Sequence, residues 1–178
     1  MSSSLAGRAT LSRQPIVLPP CPVAPRPFAS MAGVNYEMYM GAALAEARAA
    51  ASSGERPDGA VAVLDDAMVA RAQHQVQASG DPTAHAVMVV LREASRRLGR
   101  TSLGGLTVFA ASEPCAMCVG ALLASDADAL VYALADPLVG AAGSAVQLAQ
   151  SDSLPQRLHV VSGIRQAEAA ELHRAVRA

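Results

Sequence analysis

Lysine and tryptophan are absent from this 178-residue chain, and cysteine occurs only three times, as Cys21, Cys115 and Cys118. Three cysteines cannot build a disulfide framework. No run of about 18 apolar residues exists, which excludes a transmembrane helix. Basic charge is scarce where it would matter. All 14 basic residues are arginine; residues 1–33 hold three of them and no acid, whereas residues 34–178 combine 11 with 15 acidic residues. The main part of the chain is therefore mildly acidic, which argues against a nucleic-acid binder that works by charge alone. What is present is apolar: 52% of the chain is hydrophobic and 16% charged. That suffices for a buried core, and the length suits one domain.

Six of the 11 prolines fall within the first 27 residues. Residues 1–33 read as a disordered N-terminal extension, since Pro19, Pro20, Pro22, Pro25 and Pro27 interrupt any regular element. The stretch Ile16–Val23 is too short and too proline-rich for a secretory signal. Arginine and serine without acid also match an organelle transit peptide, and Met31 could serve as an alternative start. The expectation is a cytoplasmic protein, with a transit peptide as the other reading.

Residues 34–178 divide into alternating segments. Asn35 can cap a helix running to about Ser53 and stopped by Gly54. Gly59–Leu64 is a short apolar run that reads as a buried strand. Asp65-Asp66 makes a turn into a returning strand over Met68–Gln77. Thr83 can cap a helix over Ala84–Leu98, and Arg92, Arg96, Arg97 and Arg100 suit its negative end. Leu106–Ala110 is a strand, and Pro114 can open a helix running to about Ser125. Strands follow at Ala129–Leu134 and Leu158–Val161, with a short helix at Ser144–Gln150 between them and a terminal helix over Arg165–Val176. This order implies an α/β domain with a mixed sheet covered on both faces.

The chemistry concentrates in two places. His85 falls at one helix start. Cys115 and Cys118 fall at another, in Glu113-Pro114-Cys115-Ala116-Met117-Cys118. A helix start favours the thiolate that a metal needs. One His and two Cys form a three-ligand zinc site with an open fourth position, the pattern of a catalytic rather than a closed structural zinc. A Cys-x-x-Cys alone is a weak signal; the preceding proline and strand and the upstream His make it strong. Glu113 reads as a strand-end carboxylate accepting backbone N–H bonds. His159 and His173 read as ordinary surface or strand residues, and the arginines of 92–100 as a solvated helix end.

Thr83-Ala84-His85-Ala86 together with Pro114-Cys115-Ala116-Met117-Cys118 resembles the cytidine and deoxycytidylate deaminase superfamily, in particular its tRNA adenosine deaminase and guanine deaminase-like branch. Pro57-Asp58-Gly59-Ala60-Val61, Gly80-Asp81-Pro82-Thr83, Val131-Tyr132 and Asp136-Pro137 extend the likeness over about residues 36–175. It implies a three-layer α/β/α fold around a five-stranded mixed sheet. It also implies one zinc per chain on His85, Cys115 and Cys118, and hydrolytic deamination of a nucleobase, nucleoside or tRNA adenosine. The family signature is H-x-E followed by P-C-x-x-C, with the glutamate as general acid/base. Here Val87 stands in the glutamate position. Valine carries no proton, and loss of such a group typically costs about 10²–10⁴ in rate.

His74 stands where the family has an asparagine that helps hold the base, and Asp58 where a small apolar residue is usual. With Ala84 they are the candidate substrate-binding residues, and Asp58 or His74 could serve as a displaced acid/base. Three readings follow from the resemblance. The first is an impaired or inactive deaminase, a pseudoenzyme. The second is a non-catalytic partner subunit, since Val87 is similar to the pattern of that subunit in the eukaryotic tRNA adenosine deaminase. The third is a working enzyme with a relocated proton carrier. The family implies a homodimer, or a heterodimer with an active deaminase. The acidic stretch Ser125-Asp126-Ala127-Asp128 makes tRNA binding by this chain alone doubtful.

Overall fold

The computed structural model describes residues 35–177; the N-terminal extension expected over residues 1–33 lies outside them. Helix α1 (Tyr36–Ser52) is capped by Asn35, whose side chain accepts from the Met38 N–H at 3.0 Å. Strands β1 (Gly59–Leu64) and β2 (Ala67–Gln73) form an antiparallel hairpin. Its turn residues Asp65 and Asp66 both have positive φ, at 49° and 58°. This conformation is tolerated by aspartate and matches the twist of paired strands. The Tyr39 hydroxyl donates to the Asp66 carbonyl at 2.5 Å and fastens this turn to α1.

A four-residue helix α2 (Val76–Ser79) occupies what reads in the sequence as the end of β2. Helix α3 (Ala86–Leu98) follows, then β3 (Thr107–Ser112), α4 (Ala116–Ala124), β4 (Ala129–Leu134), β5 (His159–Ser162) and α5 (Gln166–Arg177). The sheet order is β2-β1-β3-β4-β5. β1 is antiparallel to both neighbours, whereas β3, β4 and β5 are parallel.

Side chains alternate across a strand, and the core divides accordingly. Ala60, Ala62, Val108, Ala110 and Leu130 pack with Val87, Val90, Leu91 and Leu122 of α3 and α4. Val61, Val63, Phe109, Val131 and Ala133 pack on the other face with Tyr39, Met40, Leu44 and Ala169 of α1 and α5. Both faces of β1, β3 and β4 are thus covered, which explains their unbroken apolar runs. No helix among the described residues is long and apolar enough to cross a membrane.

Two expected helix starts move, and one expected helix is absent. Thr83 does not cap α3: its N–H and hydroxyl both bond Asp81 Oδ1, at 2.8 and 2.6 Å, and His85 is the cap residue. Likewise Cys115, not Pro114, immediately precedes α4. Residues 144–150 form turns and an isolated bridge rather than a helix, because the N–H groups of Ala145 and Val146 bond the Gly140 carbonyl and those of Leu148 and Ala149 the Ala141 carbonyl.

The contact of α1 with β1 is close. A Cβ at Gly59 would lie 2.3 Å from the Ala43 carbonyl oxygen and 2.4 Å from the Ala47 nitrogen. Gly59→Ala must therefore push α1 off the sheet. A loss of about 1–3 kcal/mol is expected, read as a fall in Tm of roughly 5 °C in calorimetry.

Candidate metal centre

The site forms where two helices start beside the end of β3. His85 precedes α3 in extended conformation, with φ −65° and ψ 148°. Cys115 precedes α4 in similar conformation, with φ −71° and ψ 173°. Cys118 lies one turn into α4 and is buried. His85 Nδ1 is 3.6 Å from each sulfur, and the two sulfurs are 3.8 Å apart.

These distances can be compared with coordination chemistry. Zinc–sulfur and zinc–nitrogen bonds of about 2.3 and 2.0–2.1 Å at tetrahedral angles place two sulfurs about 3.8 Å apart and a nitrogen about 3.6 Å from each sulfur. The three donors thus form one face of a tetrahedron of the right size for zinc. Among the described residues these are the only three His, Cys, Asp or Glu side chains grouped closely enough to hold a metal ion. The fourth corner has no ligand from those residues. One of the two thiols, Cys115, is prepared for ionisation. The Cys118 thiol, assisted by the backbone N–H groups of Cys118 and Met117 and by His85, draws the Cys115 pKa down to about 4 against the cost of burial. Hydrogen bonding to Cys115 pushes Cys118 in the opposite direction, with burial adding to the effect.

Val87, in the first turn of α3, is only 5% exposed and belongs to the same apolar cluster as Ala60, Ala110 and Cys118. His74 follows β2, and its ring lies 5.1 Å from that of His85, tilted by 32°. Its Nδ1 is 3.0 Å from Glu55 Oε2, and Glu55 Oε1 accepts from the Ala78 N–H at 2.8 Å. Burial alone would raise the Glu55 pKa, but the N–H groups of Ala78 and Gln77 and the His74 ring hold it below the usual carboxylate range. Ala84, also buried, ties the segment together: its carbonyl accepts from the Gln75 N–H at 3.0 Å.

Asp58 immediately precedes β1, and its carbonyl accepts from the His74 N–H at 2.9 Å. Burial pushes its carboxyl up to about 6, against the lowering pull of Arg56, Ser112 and His85. Arg56 in turn bonds Asp136 at 2.9 Å. Every residue expected at the site therefore belongs to one neighbourhood around the donor triangle.

Glu55, Ser112 and His173 carry roles that the sequence does not signal. Glu55 sits in a polar Gly-Glu-Arg-Pro turn that looks solvated. His173 is not simply a surface residue, because its Nε2 is 2.8 Å from Ser112 Oγ at the end of β3. Glu113 accepts N–H bonds from Asp136, Ala142 and Ser144 at 2.9–3.0 Å, as expected of a strand-end carboxylate. The arginines of α3 are held in surface contacts: Arg92 with Asp81, and Arg96 and Arg97 with Glu93.

Residues 34–134 match the family model of the cytidine and deoxycytidylate deaminase zinc-binding region. The tRNA-specific adenosine deaminase of Bacillus subtilis is 37% identical over 132 residues, covering 74% of this chain and 82% of the relative. The tRNA-specific adenosine deaminase of Agrobacterium fabrum is 37% identical over 136 residues, 76% of this chain and 90% of that protein. A solved chain from a study of A-to-I editing by tRNA:A34 deaminases superposes with a TM-score of 0.74 at 36% identity, covering 76% of this chain and 98% of that one.

Proposed function

Because this chain belongs to the cytidine and deoxycytidylate deaminase family, we propose that it is a zinc-dependent aminohydrolase domain for an amino-substituted nucleobase or nucleoside, slowed by Val87. The observation that carries this reading is the donor triangle of His85, Cys115 and Cys118, of the size zinc requires, beside an apolar residue in the signature's glutamate position. Zinc, when bound, polarises water for attack on the carbon that bears the amine. The chain's own residues do the rest. His85 and the two thiolates hold the ion, and Glu55 fixes the His74 ring against the pocket. Val87 supplies no proton.

The test has two parts. Metal analysis of the purified chain should give one zinc per chain, removed by a strong chelator and abolished in Cys115→Ser. Ammonia release against nucleobases, nucleosides and tRNA should be slow for any accepted base, about 10²–10⁴ below ordinary enzyme rates of about 1–10³ per second. Absence of metal at neutral pH would refute the site itself.

An apolar groove between α3 and α4, lined by Met88, Leu91, Leu103 and Ala121, favours a second reading. In it the chain is a non-catalytic subunit seated against an active deaminase. Co-expression with a deaminase that retains His-x-Glu, followed by size-exclusion chromatography, separates the two: a stable heterodimer with activity absent from this chain supports the subunit.

A further inference from the structure

His85 supplies the nitrogen of the donor triangle, and its ring is turned so that Nδ1 lies 3.6 Å from both sulfurs. The torsion that sets this turn, about Cβ–Cγ, is broad in histidine and fixes little by itself. A neighbour has to fix it. The His74 ring is such a neighbour: the two ring centres are 5.1 Å apart and the planes are tilted by 32°, within the range of a favourable offset stack. His74 is buried and is not itself grouped with the metal donors. The backbone sets its place. Its N–H bonds the Asp58 carbonyl at 2.9 Å, and the next residue, Gln75, bonds the carbonyl of Ala84, the residue before His85, at 3.0 Å. Residues 74–75 and 84–85 are thereby tied side by side. The ring itself is held by the buried Glu55, whose Oε2 is 3.0 Å from His74 Nδ1 and whose Oε1 accepts from the Ala78 N–H at 2.8 Å. An ionised carboxylate only accepts, so His74 Nδ1 carries the proton. That bond pushes electron density into the His74 ring, whereas coordination draws it out of the His85 ring. An electron-rich face on an electron-poor one is a favourable contact.

We propose that Glu55 and His74 are positioning residues for the metal ligand His85: the buried pair packs a ring on the face of His85 and keeps its Nδ1 turned to the two sulfurs. The proposal rests on the metal reading above. Support for a ligating histidine ordinarily comes as a hydrogen bond to its second ring nitrogen; here a ring face plays that part. A ring covered on one face cannot turn about Cβ–Cγ without striking its neighbour. Glu55 acts through His74, so the order of contacts runs from Ala78 of α2, through Glu55 and His74, to the ligand. The nitrogen corner of the site is shaped before the ion arrives, and loss of the pair is felt first in affinity for the ion.

The test uses the full chain, its His74→Ala and Glu55→Gln variants and the double variant. Zinc affinity is read by competition with a chromophoric chelator, and ligand geometry from the visible bands of bound cobalt. Absence of zinc binding by the unaltered chain would overturn the underlying site, and this proposal with it. Where the unaltered chain binds zinc, His74→Ala should weaken binding by about 10–100-fold and shift the cobalt bands. Glu55→Gln should move both in the same direction by less, because its single amide oxygen cannot accept from both His74 and Ala78. The double variant should lose no more than His74→Ala, since Glu55 acts through the ring. Circular dichroism of the metal-free proteins reports whether each variant folds. If His74→Ala does not, Glu55→Gln, which keeps the size of the side chain, decides alone. Zinc affinity within about twofold of the unaltered chain with unmoved cobalt bands in the deciding variant, or losses that add in a folded double variant, would overturn the proposal while leaving the metal site standing.

Discussion

Val87→Glu is expected to raise ammonia release by about 10²–10⁴-fold. Position 87 lies in the first turn of α3, two residues after the ligand His85, so a glutamate there reaches toward the open corner of the donor triangle. Val87 shares its apolar cluster with the small residues Ala60 and Ala110. The N-terminal end of α3 also favours negative charge. The same variant must bury a carboxyl group, so its Tm should fall while its rate rises, a pairing that random loosening does not produce. Steady-state ammonia assays and calorimetry on one preparation read both. A silent Val87→Glu that still carries zinc would mean that the pocket no longer holds a base, which favours the subunit reading.

Glu113→Ala is expected to be the most destabilising single change around the site. Glu113 is only 2% exposed and binds three backbone N–H groups of the segment after β4. Truncation leaves those donors without their acceptor and opens a cavity where Gly140 packs: a Cβ on that glycine would already lie 2.4 Å from Glu113 Cδ. An unmet buried donor costs about 1–3 kcal/mol, and some of these would recover water. A net loss of about 3–5 kcal/mol follows, read as a Tm lower by roughly 10 °C. Because Cys115 follows two residues later, metal affinity should fall with it. Glu113→Gln should be milder, since the amide keeps one accepting oxygen. Equal Tm values for Glu113→Ala and the unaltered chain would refute this account.

The strands β1, β3 and β4 were readable from sequence because burial on both faces leaves an unbroken apolar run. The metal ligands were readable because a helix start, a proline and a Cys-x-x-Cys are local signals. The polar contacts behind them were not. Glu55 meets His74 across 19 residues and Ser112 meets His173 across 61, and no local pattern encodes either meeting. The segment 144–150 shows the converse error. Its composition allows a helix, but the carbonyls of Gly140 and Ala141 take the N–H groups of Ala145, Val146, Leu148 and Ala149 and turn the segment back on itself. Asp58 and Val87 were each legible as departures from the signature.

The two helix starts that supply the donors are separated by 30 residues of chain, from His85 to Cys115. A bound ion is therefore a cross-link. In the folded chain it closes a loop containing α3 and β3, and because the three donors separate on unfolding, its binding free energy is added to the stability of the fold. The ion's position thus makes chain connectivity, and not only the local site, depend on its presence: stripping it should loosen the central strand β3 together with the helix that precedes it.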